Sequence, residues 1–150
     1  MKKTALLMVC VLAAVLPQTA RTEPADMNEP VRFAPLHIYI DSGQAPLAAY
    51  QFELKTLAGQ VRIVGVEGSE HAAFQHAPYY DTAALMNDRI IIAAYSTDAE
   101  LPAGATRIAT LHLQITGDIE PDYELILTVA ADADGRRTHA TITYQKGETE

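Results

Sequence analysis

Two histidines and one acidic residue lie close together in the segment EHAAFQHAPYYD, where they could bind a metal ion. His71 and His76 flank Phe74, and Asp81 follows five residues after the second histidine. Imidazole and carboxylate groups are the ligands that zinc and related metals take in proteins. Pro78 and the loop-like composition disfavour the helix that would bring the two imidazoles together. We therefore expect a solvated loop here rather than a metal site, and we predict no cofactor.

The same loop contains the best candidate for sugar binding. Tyr79 and Tyr80 are adjacent in the sequence, and an exposed tyrosine ring offers an apolar face with a polar edge. Against sugar binding, the chain contains no tryptophan, the usual platform for a sugar ring. The alternative is that Tyr79 packs back onto the folded domain.

Two aspartates near the end of the chain resemble the start of a calcium-binding loop. After Asp132 and Asp134, a loop of the EF-hand type would need glycine and glutamate where the chain has Arg137 and Thr143. Asp134 and Gly135 are instead a pair favoured in tight hairpin turns, where both central positions take positive φ. We predict that this pair joins the last two strands.

The carboxylates Asp118, Glu120, Asp122 and Glu124 offer pairs of the kind that glycosidases use. The sequence places this cluster in a turn and on the outer face of a strand, where carboxylates most often keep an edge soluble. Nucleophile elbows, HExxH zinc motifs, phosphate-binding glycine loops and a cysteine nucleophile are missing from the sequence. We therefore predict that the protein is not an enzyme.

Apolar and polar residues alternate along most of the chain, which predicts strands that are buried on one face. In the segment PLAAYQFEL, three apolar side chains point one way, while Gln51 and Glu53 point the other way. Turn residues interrupt the pattern every ten or so residues, as is typical of a β-sandwich. The predicted inward positions are Leu36, Ile38, Ile40, Tyr50, Phe52, Leu54, Val61, Ile63, Val66, Ala109, Leu111, Leu113, Ile115, Tyr123, Leu125, Leu127, Val129, Ala140, Ile142 and Tyr144.

Three segments depart from simple alternation. The stretch Arg89 to Tyr95, RIIIAAY, is almost continuously apolar, which predicts a central strand. Gly65 interrupts a valine-rich strand and predicts a bulge or a close backbone approach. Residues 81–86, DTAALM, are the only helix candidate, because Asp81 can cap a first turn.

Four segments of the chain, in this order and spacing, carry a resemblance to a known family. They are HIYIDSG, PLAAYQFEL with an aromatic residue at its centre, VRIVGVEGSE, and RIIIAAYS followed by ATRIATLHLQITGD. Together they make the chain resemble a cohesin module, a β-sandwich family related to family-3 carbohydrate-binding modules. The resemblance covers about residues 36–144. The stretch KTLAGQ departs from it, since many family members have a Tyr-Asp-Pro turn there, and the chain contains a single copy of the module.

The resemblance implies an all-β jelly-roll sandwich of about nine strands, here spanning residues 34–147, with at most one short helix. It also implies binding to a protein partner, typically a calcium-loaded dockerin, through an exposed sheet face, in an assembly that is linked to polysaccharide degradation. Two alternatives are a carbohydrate-binding module that uses Tyr79 and Tyr80, and a structural subunit of an envelope assembly. From the alternation we infer that one outward face carries the binding residues Gln51, Glu53, Thr110, His112 and Gln114.

The beginning of the chain has the form of a secretory signal peptide. Lys2 and Lys3 precede a twelve-residue apolar run, whereas a membrane-spanning helix would need about 20 apolar residues. We predict that residues 1–20 are removed and that residues 21–33 form a disordered polar leader. The mature protein would then be secreted or periplasmic, without a transmembrane anchor.

The single cysteine of the chain, Cys10, falls inside this predicted signal peptide. A lipoprotein signal would place a small residue where Val9 stands, so we interpret Cys10 as part of the apolar run, and the mature protein would have no disulfide. The formal net charge is −8 and becomes −10 when Lys2 and Lys3 are removed. This acidic balance disfavours nucleic acids and anionic membranes as partners, because it repels phosphate groups.

Overall fold

The computed structural model describes residues 29–148. In this range the chain forms eight strands and two single turns of 3-10 helix. The strands are β1 (Val31–Asp41), β2 (Ala49–Ala58), β3 (Gln60–Glu67), β4 (Tyr79–Tyr80), β5 (Arg89–Tyr95), β6 (Ala105–Thr116), β7 (Asp122–Ala131) and β8 (Thr141–Lys146), and the 3-10 turns are Ala72–Phe74 and Thr82–Ala84.

The strands form two antiparallel sheets of four strands each. Sheet A has the order β3-β6-β1-β8, and sheet B has the order β4-β5-β2-β7. The predicted all-β architecture is confirmed, although the structure has eight strands in the described range where about nine were expected. The first strand begins at Val31, inside the segment predicted as a disordered leader. The predicted signal peptide, Cys10 and residues 21–28 lie outside the described residues.

The two sheets bury their inward-facing side chains against each other in one core. The apolar positions of the segment PLAAYQFEL point inward as predicted, and Tyr50, Phe52 and Leu54 are almost completely buried. Ile90 and Ile92 extend this layer along sheet B, and the facing layer of sheet A comes from β1, β3 and β6. Burial of each such side chain stabilises the fold by about 1.5–3 kcal/mol. The core therefore depends on both sheets together.

Bulges change the alternation in β7, where one predicted inward position is wrong. Gln51 pairs with Val129 and the next residue, Phe52, pairs with Leu127, so that Thr128 is the extra residue of a β-bulge. Because an extra residue reverses the side-chain direction beyond it, Val129 is partly exposed and Ala130 is buried instead. Of the two alternatives predicted at Gly65, a bulge or a close backbone approach, the bulge is present, because the pairing of β3 with β6 shifts register between Ile63 and Gly65.

The prediction that a hairpin joins the last two strands is wrong. Strand β7 belongs to sheet B and β8 to sheet A, so the chain crosses from one sheet to the other between them. A tight turn is present after β7, where the Asp132 carboxylate accepts hydrogen bonds from the N–H groups of Asp134 and Arg136. Within the described residues, Gly135 has positive φ and Asp134 does not, which differs from the two-residue hairpin expected.

The predicted helix at residues 81–86 is a single 3-10 turn. Asp81 caps this turn as expected, because its carboxylate accepts a hydrogen bond from the Ala83 N–H over 2.9 Å. Within residues 29–148, no helix has the length and apolar character needed to span a bilayer.

Candidate functional site

The five residues predicted to share a binding face lie on two different sheets. Gln51 and Glu53 belong to β2 in sheet B, whereas Thr110, His112 and Gln114 belong to β6 in sheet A. The prediction of a common face is therefore wrong. Alternation distinguishes inward from outward side chains, but it does not tell to which sheet a strand belongs.

The outer face of sheet A carries a polar groove in which the charged groups are paired. The guanidinium of Arg107 forms an ion pair with Glu70, and His112 Nε2 lies 3.0 Å from Glu67 Oε1. The second contact is within ion-pair distance but lacks the direction of a hydrogen bond. Thr110 is only 5% exposed, so it is not available as a contact residue.

His37 lies beside these residues in the same groove. Its Nδ1 is 3.0 Å from Thr110 Oγ1. Burial lowers the pKa of His37, and the positive charges of Arg107 and His112 lower it further, while Glu70 acts in the opposite direction. The imidazole is therefore held in its neutral form more firmly than a free histidine.

The outer face of sheet B exposes large apolar side chains on three of its strands, whereas the exposed apolar residues of sheet A, Val31 and Phe33, both lie on β1. We call the group of Tyr79, Ile91, Tyr95, Ile126 and Val129 the aromatic face. Their exposed fractions range from 38% to 68%. The register brings them together across the sheet, since Gln51 of β2 lies between Ala93 and Val129, and Glu53 lies between Ile91 and Ile126.

Two tyrosines dominate the aromatic face. Tyr79 on β4 and Tyr95 on β5 are 68% and 66% exposed. Their rings are nearly parallel, at an interplanar angle of 7°, and their centroids are 6.2 Å apart, which is within the range of offset aromatic pairs. Tyr80 points the other way and packs partly against the core. Tyr79 and Tyr80 therefore do not form one platform, as the sequence suggested, because neighbouring residues of a strand face opposite sides.

Tyr95 is a surface residue of this face that was not predicted from the sequence. It ends the apolar run RIIIAAY, which the sequence predicted to be a central strand. Position parity could have indicated its direction, because Ile90 and Ile92 point inward and the odd-numbered residues of β5 point outward.

Polar groups on the aromatic face are held in place by hydrogen bonds. Arg89 Nε lies 2.5 Å from Glu53 Oε1, and the hydrogen bond from Arg89 lowers the pKa of the Glu53 carboxyl. Gln51 Nε2 donates to Thr128 Oγ1 over 3.1 Å, and the Thr128 hydroxyl donates in turn to the Gln51 carbonyl. The face therefore has an apolar surface with fixed polar groups at its centre, as protein interfaces often have.

Two of the other candidate groups have structural partners. His71 Nδ1 accepts a hydrogen bond from the Ala73 N–H and so caps the first 3-10 turn. Glu120 binds Arg32 and Lys146, and the hydrogen bond from Lys146 lowers the pKa of the Glu120 carboxyl. In the part of the chain that the structure describes, no three histidine, cysteine or acidic side chains are placed so that they could hold a metal ion.

No protein-family model matches the chain, and neither a curated protein nor a solved structure matches it.

Proposed function

We propose that the protein is a non-enzymatic binding module that binds a protein partner through the aromatic face of sheet B. The observation that carries the proposal is the group of five large apolar side chains exposed on one sheet face. Exposed apolar side chains that are grouped on one face around hydrogen-bonded polar groups are typical of protein interaction sites. Tyrosine is also among the residues enriched at protein interfaces.

The chemistry around the aromatic face supports a protein partner. The Glu53 and Arg89 side chains neutralise each other, so the centre of the face has little net charge and can be covered without leaving a buried ion unpaired. The resemblance to cohesin modules makes a calcium-loaded dockerin the candidate partner. It also supports placing the protein in a secreted or envelope assembly, which agrees with the predicted signal peptide.

A pull-down with matched variants tests the proposal. The chain from Asp26 onward is immobilised and exposed to envelope and secreted extract of the source organism in calcium, and bound proteins are eluted with a chelator and identified. We expect one dominant partner. The amount of this partner that is captured should fall at least tenfold with the double variant Tyr95→Ser/Ile126→Ser. Phe33→Ser is the control, because Phe33 is also half exposed but lies on β1 of sheet A. A partner retained equally by both variants would contradict the proposal.

A second candidate function is glycan binding, favoured by the parallel rings of Tyr79 and Tyr95. Aromatic rings held parallel on an exposed face offer apolar surfaces to successive sugar rings. This function predicts retention on an insoluble polysaccharide, and loss of that retention in Tyr79→Ala and in Tyr95→Ala but not in Phe33→Ala. Recovery of a second copy of the chain, with no response to sugars or calcium, would instead favour a structural subunit.

A further inference from the structure

We propose that the groove along the outer edge of β5 binds an extended, positively charged peptide segment, which adds to sheet B as a further strand. This inference rests on the proposed function, since it specifies which part of a protein partner is bound beside the aromatic face. The groove has a volume of about 720 Å³, within the usual range of ligand sites. Its lining includes Tyr79, Asp81, Ala84, Asp88 and Ile91.

The groove lies where strand β4 stops and β5 continues. Strand β4 pairs with β5 only at Ala93 and Ile92. Among the described residues, no strand lies beside the remaining stretch of β5 from Ile91 to Arg89 on that side. An uncovered strand edge is a template for an added strand, and many peptide-binding domains use it in this way.

The direction of the peptide groups also supports the addition of a strand at this edge of β5. The Ser96 N–H donates to the Ala48 carbonyl, at the end of the β2 ladder. Because successive residues of a strand direct their N–H and C=O groups to opposite sides, Ile92 and Ile90 face β2. The peptide groups of Ile91 and Arg89 therefore face the groove.

The opposite wall of the groove is fixed before any ligand binds. The Met86 N–H donates to the Ile63 carbonyl over 2.8 Å, and the Ile63 N–H donates to the Asn87 carbonyl over 3.0 Å. Asn87 Nδ2 in turn donates to the Ala83 carbonyl over 2.8 Å. These bonds fasten the loop after β4 to strand β3 of the other sheet. The groove is therefore preformed, and the protein would lose little conformational entropy when a ligand binds.

The charge of the groove indicates which kind of peptide it would bind. Asp81 and Asp88 line it, and neither forms an ion pair with any residue in the described range. Arg89 also lines the groove, but Glu53 neutralises it. The groove thus combines an apolar floor of Ile91 and Tyr79 with two carboxylates that have no ion-pair partner among the described residues, although one oxygen of Asp81 caps the 3-10 turn. A strand with alternating apolar residues and with lysine or arginine at its ends has the complementary chemistry.

Short synthetic peptides test the inference directly. The blocked peptide Lys-Val-Thr-Val-Lys is titrated into isotope-labelled protein, and its charge-reversed form Glu-Val-Thr-Val-Glu serves as the reference. We expect amide shifts at Arg89, Ile91 and Ala93, slower hydrogen exchange at Ile91, and affinity about tenfold higher for the lysine peptide. N-methylation at one set of alternate peptide positions should abolish binding. Equal binding of both peptides, no binding, or shifts outside the groove would overturn the inference.

Variants separate this inference from the proposed function. The pair Asp81→Asn/Asp88→Asn should remove the preference for the lysine peptide, and asparagine can still cap the 3-10 turn. The control pair Asp98→Asn/Glu100→Gln removes the same charge from another loop and should leave the preference unchanged. If partner capture depends on Tyr95 but not on the aspartate pair, the proposed function stands and the peptide groove is refuted. If capture depends on neither, both fail.

Discussion

The hydroxyl of Tyr50 donates a hydrogen bond across the core to the main-chain carbonyl of Ile108, over 3.0 Å. Tyr50 belongs to sheet B and Ile108 to sheet A, so this bond connects the two layers inside the buried core. Burial raises the pKa of Tyr50 well above its usual value, which keeps the hydroxyl protonated and able to donate. The bond also satisfies a carbonyl next to the irregular pairing of β6 with β1.

Removal of the Tyr50 hydroxyl should destabilise the protein by a measurable amount. We expect Tyr50→Phe to lower the free energy of unfolding by about 1–2 kcal/mol, because it leaves the Ile108 carbonyl buried without a partner. Tyr50→Ala should cost about 3–5 kcal/mol, since it also removes the ring from the core. Urea unfolding followed by circular dichroism measures both values. A phenylalanine variant as stable as the wild type would show that the bond contributes nothing.

The strands of this fold could be predicted from the sequence because each has one buried face. Alternation located Tyr50, Phe52 and Leu54 correctly, since only one register buries all three. Val129 was misplaced because a bulge at Thr128 reverses the alternation, and no residue type marks that position. The tight turn after β7 was visible in Asp134 and Gly135, but its closure by the Asp132 carboxylate was not.

The proposed binding face could be predicted from the sequence much less well than the strands. Whether Gln51 and His112 share a surface depends on strand order, which is set by long-range pairing and not by local pattern. The pairing of Tyr79 with Tyr95 joins strands that are separated by the loop and the 3-10 turn after Tyr80. Sequence spacing therefore indicated Tyr80 as the partner of Tyr79, although the two rings point to opposite sides.

Gly68 should tolerate no side chain, because three carbonyl groups surround it. A Cβ atom at this position would lie 2.4–2.6 Å from the carbonyl oxygens of Phe74, Gln75 and His76. We expect Gly68→Ala to destabilise the protein by about 1–3 kcal/mol, since backbone atoms must move to relieve the overlap. Thermal or urea unfolding measures this change.

Gly65→Ala is the matched control for Gly68→Ala. A Cβ atom at Gly65 would be 3.6 Å from the nearest atom of His112, which is ordinary van der Waals contact. This variant should stay within about 0.5 kcal/mol of the wild type, as most surface substitutions do. Equal losses at the two glycines would mean that the carbonyl crowding at Gly68 has no special effect.

The ion pair between Glu53 and Arg89 should be visible in the titration of Glu53. The hydrogen bond from Arg89 lowers the pKa of the Glu53 carboxyl, and the charge of Lys55 contributes least. Carboxyl-carbon NMR should therefore show Glu53 titrating below the usual range. Arg89→Gln should move this pKa upward more than Lys55→Gln does. The reverse order would mean that general surface charge, and not the hydrogen bond, determines the titration.

The stability of the protein should fall on mild acidification because of His37. Burial and the positive charges of Arg107 and His112 lower the pKa of His37 in the folded state, and Glu70 opposes them. The unfolded chain therefore binds a proton more readily than the folded one as the pH falls below the ordinary histidine pKa of about 6.5. Stability contributed by neutral His37 is complete above that pH and is lost as the pH falls through the lowered folded value.

Unfolding experiments across this pH window test the role of His37. The free energy of unfolding is measured by urea titration at several pH values between about 7 and 5, near the ordinary histidine pKa. We expect the wild type to lose stability over this range and His37→Gln to lose distinctly less. Arg107→Gln keeps the histidine and removes the second cause of the shift, so its slope should lie between the two. An unchanged slope in His37→Gln would assign the acid sensitivity to other groups, because a side chain that cannot titrate cannot contribute to it.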